Sequence, residues 1–147
     1  MLRYSQDELL TGINANLGEI ATTMGMEFVR VGADSVEATL PVEGNRQPYG
    51  FLHGGASALL AETLGSVLCG LLAPEGKFPV GIELSCSHHR SATAGLVFGK
   101  ATMLNAGGTL ATVDIRITDA DDRAITTARL TCLFRSRPDG AADYRPA

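Results

Sequence analysis

Gly50-Phe51-Leu52-His53-Gly54-Gly55-Ala56-Ser57-Ala58-Leu59-Leu60-Ala61-Glu62-Thr63-Leu64-Gly65-Ser66-Val67-Leu68 opens an apolar run that continues to Ala73 and carries one full charge, the carboxylate of Glu62. An ionised carboxylate in an apolar site costs several kcal/mol unless it is paired. A lone Glu midway along such a run has two readings: it meets an arginine, or it does chemistry. The run is long enough to raise the question of a membrane span. The central carboxylate, with Gly54, Gly55, Ser57, Gly65, Ser66 and Gly70 around it, favours a buried core helix instead.

Outward from this helix the periodicity changes twice. Before it, Leu9, Leu10, Ile13, Leu17 and Ile20 recur at helical spacing and predict one amphipathic helix over residues 5–23. Phe28, Val29 and Val31 lead to a turn at Gly32-Ala33-Asp34, and residues 35–40 alternate strictly as a half-buried strand does. Residues 42–52, with Gly44, Asn45, Pro48 and Gly50, read as a loop. After the helix and the Pro74-Glu75-Gly76 stop come strands over 78–89, 96–104, 110–118 and 124–135. In the third, Val113, Ile115 and Ile117 face one way; in the fourth, Ala128, Leu130, Cys132 and Phe134 do, with a polar hairpin over 119–123 between them. The order predicts an α+β fold, an antiparallel sheet wrapped around a long central α-helix. Residues 1–136 read as one domain and 137–147 as a disordered tail.

The chain has 147 residues, enough for a core without disulfides or metals. Its net charge is −4 and its basic residues are not clustered, which argues against a nucleic-acid groove. Three cysteines without CxxC spacing, and a charged N-terminus where a secretion signal needs apolar residues, predict a cytoplasmic protein. Consecutive histidines on a strand point to opposite faces, so His88-His89 with His53 makes a poor metal site; neither metal nor organic cofactor is expected.

Within the helix, Ala56, Leu59, Leu60, Thr63, Leu64, Val67 and Leu71 form the expected core stripe. Glu62 and Ser66 share another face with Ser57, Ala58, Ala61, Gly65 and Cys69, all small enough for a ligand or neighbouring subunit to approach. Gly54 and Gly55 stand at the helix N-terminus, where unpartnered N–H groups and the positive end of the macrodipole can polarise a carbonyl. Glu62 lies eight residues on, about 12 Å along the axis at 1.5 Å per residue. Gly54 and Glu62 of one chain therefore cannot grip the same carbonyl carbon. If both act on it, one comes from a second subunit, which predicts a homodimer with shared sites.

The stretch from Gln47-Pro48-Tyr49-Gly50 through Glu62-Thr63-Leu64-Gly65-Ser66, with the later Val80-Gly81-Ile82-Glu83-Leu84, His88-His89-Arg90 and Gly95, closely resembles the hotdog-fold acyl-CoA thioesterases of the PaaI-like type. Among these it is most similar to 1,4-dihydroxy-2-naphthoyl-CoA hydrolases and to the proofreading thioesterases of enterobactin synthesis. The resemblance implies that Glu62 acts as nucleophile or general base at the thioester carbonyl. It implies that the Gly54 N–H and the Gln47 side chain polarise that carbonyl, that His53 supports the site, and that Ser66 lies beside the water or acyl group. It places Gly55, His88, His89, Arg90 and Ser91, with Asn105, Ala106, Gly107, Gly108 and Thr109, along the CoA. Two positions depart from the family's pattern: Gly107-Gly108 stands where Gly-Arg is frequent, and Ser91 where proline is usual.

A thioester has a weakly resonance-stabilised carbonyl and a good leaving group, so a carboxylate with an oxyanion site suffices for hydrolysis. The expectation is a hotdog thioesterase, a dimer of dimers, acting on an aromatic or medium-size acyl-CoA or on an acyl carrier-protein thioester. The rivals are a hotdog hydratase or dehydratase of β-hydroxyacyl thioesters, which uses a His with an acid in another arrangement, and a non-catalytic acyl-CoA-binding sensor.

Overall fold

A computed structural model of the chain describes residues 4–139, so most of the tail expected over 137–147 lies outside the described residues. The elements run α1 (Gln6–Ala15), α2 (Glu19–Thr23), β1 (Glu27–Val31), β2 (Ser35–Pro41), α3 (Gly54–Leu71), β3 (Lys77–His88), β4 (Leu96–Ala106), β5 (Leu110–Thr118) and β6 (Ala124–Ser136). The six strands form one antiparallel sheet in the order β1-β2-β4-β5-β6-β3. It curls around α3, which packs on β2, β3, β4, β5 and β6. This is the predicted α+β arrangement. The first strand after the helix does not pair with the next one. It crosses to the far edge, beside the last strand.

Residues 5–23 do not form one helix. Ser5 caps α1 through a reciprocal box with Glu8, and Leu9 and Ile13 are buried. The helix then stops at Asn16, because Gly18 takes a φ of +79° that redirects the chain into α2. Ile20, expected on the buried stripe, is 62% exposed as a result. Asn14 pins α1 to β1, donating to the Phe28 carbonyl and accepting from the Phe28 N–H, both at 2.9 Å.

The helix stripe is also wider than the periodicity implies. Leu60, Leu64, Val67 and Leu71 are buried as expected, but Leu59 and Thr63 are only partly so. The small residues Ser57, Ala61, Gly65 and Cys69, read as open to a partner, are buried within the chain's own fold. The reason is the curl of the sheet, which covers the helix on several sides. Contact there is too close for side chains: a Cβ at Gly65 would lie 2.6 Å from Leu130 Cδ2, and one at Gly99 2.5 Å from Leu64 Cδ1. The alternation in β5 and β6 holds, with Val113, Ile115, Ile117, Ala128, Leu130, Cys132 and Phe134 all buried. The helix Gly54–Leu71 is long and apolar enough to cross a membrane, but it is mostly buried inside the fold, as a core helix is.

Candidate active site

The site is built around the start of α3. The loop before it doubles back: the Gln47 N–H donates to the Phe51 carbonyl, Gly50 N–H to that of Gln47, and His53 N–H to that of Asn45. The Leu52 N–H reaches across to the Ala92 carbonyl at 2.8 Å, tying the loop to the segment after β3. His53 is the N-cap. Its Nδ1 accepts the Gly55 N–H at 2.8 Å, while its backbone carbonyl takes the N–H groups of Ala56 and Ser57. The first turn has four such donors to satisfy. Three are used, and the Gly54 N–H has no hydrogen-bond partner among the described residues.

A cavity of about 430 Å³ opens at that free donor, lined by Gln47, Phe51, Leu52, Gly54, Ser57, His88, His89, Arg90, Ser91, Ala92 and Ile125. Gln47 Oε1 accepts the Tyr49 N–H, so the amide nitrogen, with two hydrogens to donate, is left for a ligand. His88 seats its ring against the bare Gly54 backbone, where a Cβ would be 3.2 Å from Nε2, and its Nδ1 is 3.0 Å from Thr126 Oγ1. His89, just past the end of β3, lines the same cleft and has its Nε2 2.8 Å from Thr127 Oγ1, so the opposite facing expected of two histidines on one strand does not apply. The exposed Arg90 makes no ion pair among the described residues.

Glu62 lies elsewhere. With His53, Gly55, Ala56, Ala58, Leu59 and Leu84, and with Ile20, Met24, Asn45 and Arg46, it lines a second, mainly apolar cleft of about 560 Å³. Among the described residues no arginine or lysine pairs with it. Burial pushes its carboxyl above the usual glutamate range, opposed by a long hydrogen bond, 3.5 Å, from Ser66 Oγ. The half-buried carboxylate is thus partly desolvated without the counter-ion that would explain its placement structurally. Three free thiols stand nearby: the hydrogen bond between Cys69 and Cys132, with burial, pushes Cys69 upward, and burial and then the Glu62 charge do the same to Cys86.

The candidate residues therefore divide into groups. Gln47, Gly54, His88, His89, Arg90 and Ser91 share one cleft; His53, Gly55 and Glu62 share the other, with Ser66 touching Glu62. Asn105, Ala106, Gly107, Gly108 and Thr109 form the β4–β5 hairpin, and a single chain does not bring them to either cleft. Gly108 accepts from Lys77 Nζ at 2.8 Å, at the start of β3, whereas His88 ends that strand. The two groups thus lie at opposite ends of a strand of twelve residues, which at about 3.3 Å per residue spans at most about 36 Å. Ser57, Ile125, Asn45 and Leu84 were not singled out from the sequence. Only Ser57, one helical turn beyond Gly54, carried a signal that could have found it. Among the described residues no three His, Cys, Asp or Glu side chains gather to hold a metal ion.

Residues 49–126, which include the helix carrying the unpaired carboxylate and the free N-terminal donor, match the thioesterase superfamily model. The chain belongs to this superfamily. The proofreading thioesterase EntH of Cronobacter turicensis is 43% identical over 124 residues, covering 83% of this chain and 90% of the relative. EntH of Klebsiella pneumoniae is 37% identical over 131 residues, 88% of this chain and 96% of the relative. Among solved structures, a Haemophilus influenzae thioesterase superposes with a TM-score of 0.84 at 31% identity, covering 97% of this chain and all of that one. A Pseudomonas aeruginosa thioesterase variant gives 0.82 at 31% identity, covering 92% and 96%. This thioesterase thus has the hotdog fold and hydrolyses acyl thioesters.

Proposed function

We propose that the chain hydrolyses an acyl-CoA thioester, with an aromatic or medium-size acyl group, in sites shared between two subunits of a cytoplasmic homodimer or homotetramer. The observation that carries this is the separation of the two half-sites: the free Gly54 N–H opens into one cleft and the unpaired Glu62 carboxylate into another. In support, β3 is an edge strand of twelve residues, long enough to pair with a second copy and join unlike clefts. The apolar lining of the Glu62 cleft suits an acyl group, and Arg90 at the mouth of the other suits a CoA phosphate.

In this reading the thioester oxygen accepts from the Gly54 N–H and the Gln47 amide, which stabilise the negative charge that develops on it. Glu62 of the other subunit attacks the carbonyl carbon directly or takes a proton from the water that does. The tetrahedral intermediate collapses, the C–S bond breaks, and the thiolate leaves to be protonated. With water as the attacking group the acid is released at once; with Glu62 as the attacking group a water then cleaves the acyl-glutamyl anhydride to free the acid and restore the carboxylate. Raised by burial, the Glu62 carboxyl is a stronger base than an exposed glutamate once ionised.

A thiol-release screen across aromatic and aliphatic CoA thioesters and carrier-protein thioesters tests the substrate. The expected result is turnover of CoA thioesters, fastest with aryl or medium-chain groups; hydration of crotonyl-CoA without thiol release would overturn the reading. Mixed dimers of Gln47→Ala chains with Glu62→Ala chains test the sharing. They should recover about a quarter to half of wild-type activity per site if the half-sites come from different chains, and none if each chain acts alone.

A further inference from the structure

Gly81 lies on β3 opposite Cys132, on the face of the sheet turned toward the helix. Glycine weakens a strand interior and needs a reason there. Backbone conformation is not the reason, since Gly81 is absent from the glycines with positive φ. Neither is crowding by the core: a Cβ at this position would sit 3.5 Å from Leu130 Cδ1, an ordinary contact. What it would strike is the Glu62 carboxylate, overlapping Oε1 and standing 3.3 Å from Cδ. The strand also bulges between Gly81 and Glu83, the device by which sheets make local room beside functional groups.

Resting on the reading of Glu62 as the catalytic carboxylate, we propose that Gly81 is its positioning residue: the missing side chain is the notch that holds the carboxylate at its working place. The carboxylate is bounded by the bare Gly81 backbone on one side and Ser66 Oγ on the other. A methyl group at 81 meets the far end of a flexible side chain, so the carboxylate gives way before the strand does. The fold survives and the geometry of the reacting atoms does not. Misplacing a reacting group by about 1 Å costs up to a hundredfold in rate.

The test uses Gly81→Ala, Glu62→Ala, Glu62→Gln and the combinations with Gly81→Ala, assayed on benzoyl-CoA with melting curves for each. Gly81→Ala should lower kcat by about ten- to a hundredfold with KM within about twofold, because binding contacts are untouched. The Glu62→Gln/Gly81→Ala double variant should be no slower than Glu62→Gln alone. Whatever the activities, Glu62→Ala/Gly81→Ala should melt at the temperature of Glu62→Ala, since removing the carboxylate removes the clash. Wild-type kcat in Gly81→Ala, a rate in Glu62→Gln/Gly81→Ala below that of Glu62→Gln, or a Glu62→Ala/Gly81→Ala variant that melts below Glu62→Ala would each overturn the proposal. Full turnover by Glu62→Ala would sink the catalytic reading of Glu62 instead, and the melting comparison would still judge the notch.

Discussion

The Gly55 N–H donates to Nδ1 of His53 at 2.8 Å, and this one bond gives the two glycines at the start of α3 different roles. Gly55 is spent on the cap. Gly54, one residue earlier, keeps its N–H for a ligand and opens into the cleft with Gln47. The same bond fixes the neutral His53 ring as the Nε2–H tautomer, because Nδ1 must offer its lone pair. His53 shapes the helix start.

His53→Ala should therefore cost stability, about 1 kcal/mol as for other lost N-caps. His53→Asn, which can cap in the same way, should restore most of the melting temperature. Thermal unfolding of the three proteins checks this. A rate loss in His53→Asn as deep as in Glu62→Ala would instead give the imidazole a direct role.

The Gln47 side chain accepts from the Tyr49 N–H and, in the proposed reading, donates to the thioester oxygen, and the two can be separated. Gln47→Ala loses the amide donor and should lower kcat by about 10²–10³, as for removal of one oxyanion donor. Gln47→Glu keeps an acceptor for the Tyr49 N–H but has no donor, so it should be at least as slow while keeping wild-type stability. Steady-state kinetics and melting curves on both variants distinguish a donor from a turn-holder.

Glu62 predicts opposite signs for stability and activity. Its folded carboxyl binds its proton more tightly than the unfolded chain's, so its contribution to stability is full at pH below the ordinary glutamate value. That contribution is lost as the pH rises through the raised one. Glu62→Gln should then raise the melting temperature at pH 7, with the gain vanishing in acid. Its kcat should fall by about 10²–10⁴, as for loss of a general base.

The acid limb of the wild-type pH profile should follow the same group. Log kcat/KM should rise with pH through a value above the ordinary glutamate range and then level off, since the ionised form reacts. In Glu62→Gln the limb should disappear from the residual rate. Single-turnover hydrolysis in heavy-oxygen water adds the chemical detail: label entering Glu62 identifies it as the nucleophile, and label in the acid alone as the general base.

Gly99 tests the seat of the helix. Its Cβ would lie 2.5 Å from Leu64 Cδ1 and 3.2 Å from Leu60 Cδ2, so Gly99→Ala should destabilise by about 1–3 kcal/mol through overpacking. In a double-mutant cycle followed by chemical denaturation, Gly99→Ala should cost less in a Leu64→Ala background than in the wild type. Gly99 lines neither cleft, so Gly99→Ala should leave KM unchanged.

The elements were legible because their signals are local. Alternation over β5 and β6 names the inward residues, and one charge in an apolar run marks Glu62. Rise per residue alone separates Gly54 from Glu62, and that argument needs no coordinates. Signals that depend on long-range pairing were not legible. Gly18 looks like any glycine in a helical pattern until its φ is known, and the small face of α3 looked open because periodicity cannot say how far a sheet curls.

Sequence by itself determined the helix, its lone acid, its glycine start and the strands that cover it, since each rests on spacing within a few residues. Only the tertiary structure decided that β3 lies at the sheet edge, that Gly54 and Glu62 face different clefts, and that Gly81 meets the carboxylate. Those relations join residues distant along the chain. They are set by strand order and sheet curvature, which follow from packing all six strands around one helix at once.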